Sequence, residues 1–345
     1  MKPAVHVVIL NFNGREWLER FLPSVCASRY EPLSITVADN CSDDESLALL
    51  RERFPQVRLL CLERNFGFAE GYNRALADLP GDLFVLLNSD VEVHPDWLAP
   101  LVWPFIEDPS VAAVQPKIRS FERPQCFEYA GAAGGLLDAL GYPFCRGRLF
   151  EHLERDEGQY DSPAEIFWAS GAALAVRADL FRKMGGFDGD FFAHLEEIDL
   201  CWRLKRAGYR VLFSPESVVW HVGGGTLGYE SPRKTYLNFR NNHFMLWRNE
   251  AARRLAWLFP LRLLLDGVAG LQFLLQGRPA HTWAVIRAHL ALYRSLPGLL
   301  RKRREVRRQV EACRIGPSRA WKGRYRGSIV WWHFVLGRKQ PPPLT

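Results

Sequence analysis

The chain has 345 residues, 48% hydrophobic and 24% charged, a balance that excludes a disordered chain or a collagen-like repeat. Its net charge of +7 is unevenly spread: residues 251–345 hold 19 Lys and Arg against 3 Asp and Glu, a net of +16, leaving −9 for residues 1–250. An acidic front is therefore joined to a strongly basic tail.

No basic stretch followed by an apolar run opens the chain, so no secretory leader is expected. The seven cysteines are odd in number and form no CxxC pair, which points to reduced thiols in the cytosol.

In chain order, Val5–Leu10 predicts a buried strand, Arg15–Cys26 a helix and Ser34–Ala38 a second strand. Asp44–Arg53 predicts a helix capped by Ser42 or Asp43, then Val57–Cys61 a strand, Phe68–Asp78 a helix and Leu83–Leu87 a fourth strand. Repeated β-α units with continuous apolar strands imply an α/β fold with a parallel sheet covered on both faces. Ligands of such sheets bind beyond the carboxyl ends of the strands. Each of the four strands runs into a polar cluster there: Asn11–Gly14, Asp39–Asp44, Asn65–Asn73 and Asn88–Asp90. Any one of these reads equally well as a turn; four on one sheet edge read as a site.

Seven ordered segments resemble a known family. They are VVILNFNG (7–14), VADNCSDD (37–44), ERNFGFAEGYNRA (63–75), LLNSDVEV (86–93), SGAALAVR (170–177), GGFDGDFFAHLEEIDLCWRLKRAGYRV (185–211) and HVGGGT (221–226). The sequence looks like a family-2 glycosyltransferase with the GT-A fold, a Rossmann-like nucleotide-diphospho-sugar transferase fold, and is similar to the bacterial rhamnosyltransferase-type members. The implied organisation is a GT-A domain over 1–250, with a nucleotide-binding half at 1–120 and an acceptor and catalytic half at 121–250. A basic, amphipathic helical extension follows at 251–345.

The resemblance implies a nucleotide-diphosphate sugar donor, dTDP-rhamnose among the candidates, and a cell-surface or lipid-linked glycan acceptor. Asn11, Asp39, Asn65, Gly67, Asn73 and Asp90 are the candidate donor-binding residues. Asp39 suits a ribose hydroxyl or a pyrimidine imide N–H, with a turn-capping role as the alternative. Asn65–Gly67 supplies a tight turn where backbone approaches the nucleotide. Asn88–Ser89–Asp90 stands where the family carries D-x-D, so Asp90 is the carboxylate for Mg²⁺ or Mn²⁺, with His221 as second ligand and Gly223–Thr226 as a loop over the phosphates.

Glu197 stands where the family has its catalytic Asp, and inversion needs a base on the acceptor hydroxyl. An acid-rich helix start is the structural alternative. Trp168, Glu196 and Asp199 are the candidate acceptor-binding residues, with Phe191, Phe192 and His194 beside them; Arg203 reads as the (i, i+4) ion-pair partner of Asp199, and Cys201 and Trp202 as packing.

In the tail, Leu255–Leu275 is apolar but interrupted by Pro260, Arg262, Asp266 and Gln272, and so falls short of a spanning helix, although an (i, i+4) pair of Arg262 with Asp266 keeps the spanning reading open. A second apolar-basic helix at Trp283–Leu292 precedes Arg301–Arg308, six of whose eight residues are basic. Together they predict a helix hairpin on an anionic membrane surface, the enzyme being peripheral on the cytoplasmic face of the cell membrane; a soluble helical subdomain is the alternative. Trp321, Tyr325, Trp331 and Trp332 among the tail arginines raise a nucleic-acid-binding reading, which the acidic front disfavours. A non-catalytic member of the same fold is the remaining alternative, since Asn88 and Glu197 depart from the family pattern.

Overall fold

The computed structural model describes residues 2–223 and 231–343. Its first half runs β1 (Val5–Asn11), α1 (Arg15–Cys26), β2 (Leu33–Asp39), α2 (Ser46–Arg53), β3 (Arg58–Cys61), α3 (Gly67–Leu76) and β4 (Leu83–Asn88). β1 pairs in parallel with β2 and β4, and β2 with β3. Apolar runs such as VHVVIL form these strands because both faces are covered. Leu18, Leu22 and Val25 of α1 join one core with Val7 and Ile9, all of them excluded from water. Val8 joins the opposite core with Tyr72 and Ala75 of α3.

One helix start differs from expectation. Ser42 is tied to Asp39 and Asn13 rather than capping α2, whose Ser46 N–H donates to Asp44 Oδ1 at 3.0 Å.

The second half adds β5 (Val91–Val93), α4 (Leu98–Glu107) and β6 (Val111–Ser120), then the short strands β7 (Gly135–Leu137), β8 (Pro143–Cys145), β9 (Arg148–Leu149), β10 (His152–Leu153) and β11 (Ala164–Glu165). β12 (Ala173–Arg177), α5 (Ala178–Lys183), α6 (Glu196–Arg206), β13 (Arg210–His221), α7 (Pro232–Asn249), α8 (Ala252–Leu275) and α9 (Pro279–Ala312) complete it. The main sheet is ordered β11-β13-β6-β12-β4-β1-β2-β3, and β5 adds to β13. β12 is antiparallel to both β4 and β6, so the sheet is mixed rather than wholly parallel. β7 to β10 form a small antiparallel sheet beside it.

β13 carries a bulge. Ser214 pairs with Pro116 and Val218 with the very next residue, Lys117, so residues 215–217 are extra. Ser214 Oγ and Ser217 Oγ donate to the carbonyls of Pro100 and Trp97, at 2.9 and 2.7 Å, and pin the bulge to α4. Before it, Val211 and Phe213 point into the core of α3 and α6; after it, Val219 points into the core of α1 and α4.

The basic tail is built onto this frame. Arg324 pairs with Glu250 at 2.8 Å, Arg319 with Glu165, and the Tyr325 N–H donates to the Leu137 carbonyl at 2.9 Å. α8 runs unbroken through Pro260 and is long and apolar enough to cross a membrane. Arg262 and Asp266 pair as spaced, at 3.8 Å, but their main partners lie elsewhere. Arg262 donates to Asn242 Oδ1 at 2.7 Å, while Asp266 Oδ2 lies 2.7 Å from His243 Nε2 and 3.1 Å from His289 Nε2. One buried carboxylate thus ties α7, α8 and α9 together.

Candidate functional site

The loops after β1, β2 and β3 interlock through short polar side chains. Asp39 is buried, and its oxygens accept from Asn11 Nδ2 (3.0 Å), Ser42 N (2.9 Å) and Ser42 Oγ (2.7 Å). Both the turn-shaping role and a place at the strand end are therefore observed. Asn40, missed in the sequence, donates to Asn65 Oδ1 and the Gly67 carbonyl and accepts from Phe66 N–H, which fixes the Asn65–Gly67 turn. Gly67 has φ +76°, and a Cβ there would meet the Phe192 ring at 2.6 Å, so only glycine fits. Asn65 and Phe192 also line an open cleft of 410 Å³ with Arg64, Phe66, Glu70 and Gly189. Asn73 needs correction: its amide exchanges hydrogen bonds of 2.7 and 2.8 Å with the Phe187 backbone, leaving it a structural clasp rather than a donor contact.

The loops after β1 and β4 close on each other at Gly14. A Cβ there would sit 2.5 Å from Asn11 Oδ1 and 3.4 Å from Ser89 Oγ. Beyond Ser89, Asp90 and His221 meet although 131 residues separate them. The cause is backbone register: β13 pairs antiparallel with β5, His221 faces Val91, and Asp90 immediately precedes Val91. His221 Nε2 lies 3.1 Å from Asp90 Oδ1 and 3.4 Å from Asn88 Nδ2. On the other edge of the ring, Nδ1 lies 3.0 Å from Glu128 Oε2.

Glu128 was not legible in the sequence, since it sits in an irregular segment with no motif around it. The imidazole between two carboxylates is held well above its ordinary pKa; burial opposes this, but the charges of Glu128 and Asp90 outweigh it. Both carboxylates are held below their usual range by the same histidine, against the effect of burial. Lys234 of α7 is within electrostatic reach of Glu128. The glycines and threonine at 224–226, expected to close over phosphates, lie outside the described residues.

The third component is the start of α6. The loop before it holds three non-glycine residues at positive φ, Phe192 (63°), His194 (70°) and Leu195 (74°). Such backbone persists only where neighbours over-determine it. Asn241 of α7 donates to the carbonyls of Phe191, Ala193 and His194 at 2.8–3.0 Å. The Phe192 carbonyl in turn accepts from the N–H groups of Phe68 and Ala69, at 2.8 and 3.1 Å, tying the loop to the donor-side turn.

The first turn of α6 carries Glu196, Glu197 and Asp199, so the predicted acid-rich helix start is present. Glu196 is buried, and its pKa is pushed well above the ordinary range by burial and by the neighbouring Glu197 charge. Burial also lifts Glu197, to about 7. Its side chain lies beside Gly171, whose neighbour Ala172 accepts from the Asn88 N–H at 3.0 Å. The Tyr72 hydroxyl feels both Asp90 and Glu196, and the Cys145 thiol both Glu128 and Glu197. Both acidic groups therefore lie within electrostatic reach of the same two buried side chains.

Two acceptor candidates do not hold. Trp168 is only 4% exposed, lies against Gly135 and donates its indole N–H to the Leu136 carbonyl at 2.9 Å. Asp199 is 1% exposed, with one oxygen accepting from Arg203 Nε (2.8 Å) and the other from Asn249 Nδ2 (2.6 Å). Both have their polar capacity filled by the fold. Arg203 makes the expected pair and also donates to the Met184 and Gly186 carbonyls.

The basic run of α9 is divided between two directions. Arg301, Arg304, Arg307 and Arg308 are exposed, but Lys302 turns inward to Asp188 (2.6 Å) and Asp190, where Arg248 of α7 also pairs. Asp188 and Asp190 open the strained loop that ends at Glu197. Lys302→Met is expected to lower kcat by about 10- to 100-fold through misplacement of that loop, with donor KM little changed. Lys302→Arg should restore most of the rate; a steady-state comparison of the two variants checks this.

Residues 6–172 match the family model described as Glycosyl transferase family 2. The N-acetylglucosaminyl-diphospho-decaprenol L-rhamnosyltransferase of Mycobacterium tuberculosis is 29% identical over 273 residues, 72% of this chain and 88% of that protein. Among solved structures, a mannosyltransferase from Pyrobaculum calidifontis in complex with GDP-Man and Mn²⁺ aligns with a TM-score of 0.53 and 19% identity, covering 90% of this chain and 87% of that one. GalNAc-T7 with UDP, GalNAc and Mn²⁺ aligns at 0.57 with 20% identity, covering 72% of this chain but only 48% of its own length. The ordered loops on one sheet edge, the mixed sheet with its antiparallel β12 and these likenesses agree: residues 6–172 form a glycosyl transferase family 2 domain, and the protein is a glycosyltransferase of the GT-A fold.

Proposed function

We propose that the protein is an inverting, divalent-cation-dependent glycosyltransferase that moves a sugar from a nucleotide-diphosphate donor to a lipid-linked or cell-surface glycan. The observation that carries this is the Glu128–His221–Asp90 line at the end of β13, beside the loop after β4. The 3.1 Å between His221 Nε2 and Asp90 Oδ1 suits adjacent ligands of one octahedral cation, which stand about 3 Å apart. Glu128 behind the ring is the outer carboxylate that metal-bound histidines commonly have, and it holds the imidazole in place. Asp90 and His221 would hold Mg²⁺ or Mn²⁺, which supplies charge for the donor diphosphate as it leaves.

Asn11, Asp39, Asn65 and Gly67 shape the wall against which the nucleotide lies. Glu197, with its pKa raised to about 7, has the basicity to take the acceptor hydroxyl proton near neutral pH. Glu196, kept neutral by burial and by its neighbour, leaves that charge to Glu197. The printed name of the mycobacterial relative favours a rhamnosyl donor and a polyprenyl-diphosphate-linked acceptor.

A thermal-shift screen with UDP-, dTDP- and GDP-sugars, each with and without Mn²⁺, tests this. The dTDP-sugar with cation is expected to give the largest rise; a ligand at 100 times its Kd stabilises by about 2.7 kcal/mol. A chain that no nucleotide sugar stabilises, or that binds its donor equally in chelator, would refute the cation-bridged reading.

A further inference from the structure

Helix α8 is built inside out. Helices on a water-facing surface turn their polar residues outward. Here Arg262 and Asp266 are buried, whereas Trp257, Leu264, Val268, Leu271, Leu274 and Leu275 are each more than half exposed. Between Leu255 and Gly277 every exposed residue is uncharged. Trp283, Ile286 and Leu290 of α9 widen the strip. Single exposed apolar residues are normal, but a strip running the length of a 24-residue helix marks a contact surface.

The border of the strip says what covers it. Arg253, Arg287, Arg294, Arg301 and Arg304 are exposed around it, and the only acid between residues 252 and 304 is the buried Asp266. Two copies meeting through this face would oppose like charges, which disfavours association. An anionic lipid surface offers apolar depth and opposite charge together.

The attachments of α8 decide how it meets that surface. Arg254 donates to the Ala139 carbonyl, Arg262 to the Leu140 carbonyl at 2.9 Å, and Thr282 to the Gly270 carbonyl at 2.8 Å. Arg254, Arg262 and Asp266 thus bind the first half of α8 to residues of the catalytic domain and Thr282 binds its second half to α9, which holds the helix against its neighbours rather than upright through a bilayer.

We infer that α8 and the first half of α9 lie in the plane of an anionic membrane, with the outer face of α8 inserted among the acyl chains and the bordering arginines at the headgroups. This goes beyond the transfer reading and stands whatever sugar is moved, because the surface uses none of the residues assigned to donor and base.

Co-sedimentation of the full chain with vesicles of phosphatidylcholine, alone or mixed with phosphatidylglycerol, tests it without donor or acceptor. The parent is expected to bind the mixed vesicles. Leu264→Glu with Val268→Glu and Leu271→Glu should weaken binding at least about tenfold while the melting temperature holds. A second variant, Arg287→Gln with Arg294→Gln and Arg301→Gln, keeps the apolar face and should lose the preference for the anionic lipid.

Fluorescence quenching that disappears in Trp257→Phe should be stronger with lipids brominated near the headgroup than with lipids brominated near the chain end. Absence of vesicle binding by the parent, or binding that neither variant changes, overturns the inference. Stronger quenching from the chain ends overturns it in favour of a spanning helix. A dimer in solution that the glutamate variant dissociates overturns it in favour of an interface between copies.

Discussion

Glu197→Gln is expected to reduce transfer by about 10²- to 10⁴-fold, the range for loss of a general base, while donor affinity stays within about twofold. The substitution keeps the shape and hydrogen-bonding atoms but removes the proton acceptor. The pH profile gives an independent check. The active form of Glu197 is the carboxylate, and burial raises its pKa to about 7, so kcat/KM of the parent should fall as the pH drops through that value.

Stability should move the other way. A carboxyl with a raised folded-state pKa favours the fold at low pH, and that contribution is lost as the pH rises through about 7. Glu197→Gln should therefore melt higher than the parent above neutrality and nearly level with it at low pH. A variant as active as the parent would remove the base from Glu197; a variant equally inactive but melting lower at every pH would make the side chain a packing element.

Asp90→Ala is expected to abolish the cation dependence of donor binding, and Glu128→Gln to weaken cation affinity by about 10- to 100-fold without abolishing it. The two differ because Asp90 faces Nε2 of His221 and Glu128 faces Nδ1, so one carboxylate would touch the ion and the other only orients the ring. Mn²⁺ titrations of donor binding by calorimetry separate these outcomes. Equal losses in both variants would contradict the asymmetric arrangement.

The parallel front of the sheet was legible in the sequence because continuous apolar runs alternate with helical spacing, and polar clusters ended each strand. Which of those polar residues face a ligand was not legible. Asn73, Asp199 and Trp168 have the chemistry of site residues, yet the Phe187 backbone, Arg203 with Asn249, and the Leu136 carbonyl occupy their donors and acceptors. A side chain's type states its hydrogen-bonding capacity, while tertiary packing decides who fills it. Glu128, Asn241 and Lys302 escaped notice for the converse reason: each acts through a partner more than 45 residues away, on an element whose placement no local pattern specifies.

The bulge in β13 has a consequence for how His221 arrives at its station. Side chains alternate across a sheet with a period of two, so three looped-out residues reverse the match between odd numbers and one face while each rung stays paired in step with β6. Val211 and Phe213 share odd numbering with Val219 and His221, yet Val219 looks to the opposite side of the sheet. Were Pro215, Glu216 and Ser217 excised, Val218 would follow Ser214 as Lys117 follows Pro116 in β6, and the rungs beyond would keep their faces, with the imidazole still beside Asp90. Three residues with no reactive group are thus taken up as a detour that leaves the strand in step with β6, and the hydroxyls of Ser214 and Ser217 fasten that detour to α4.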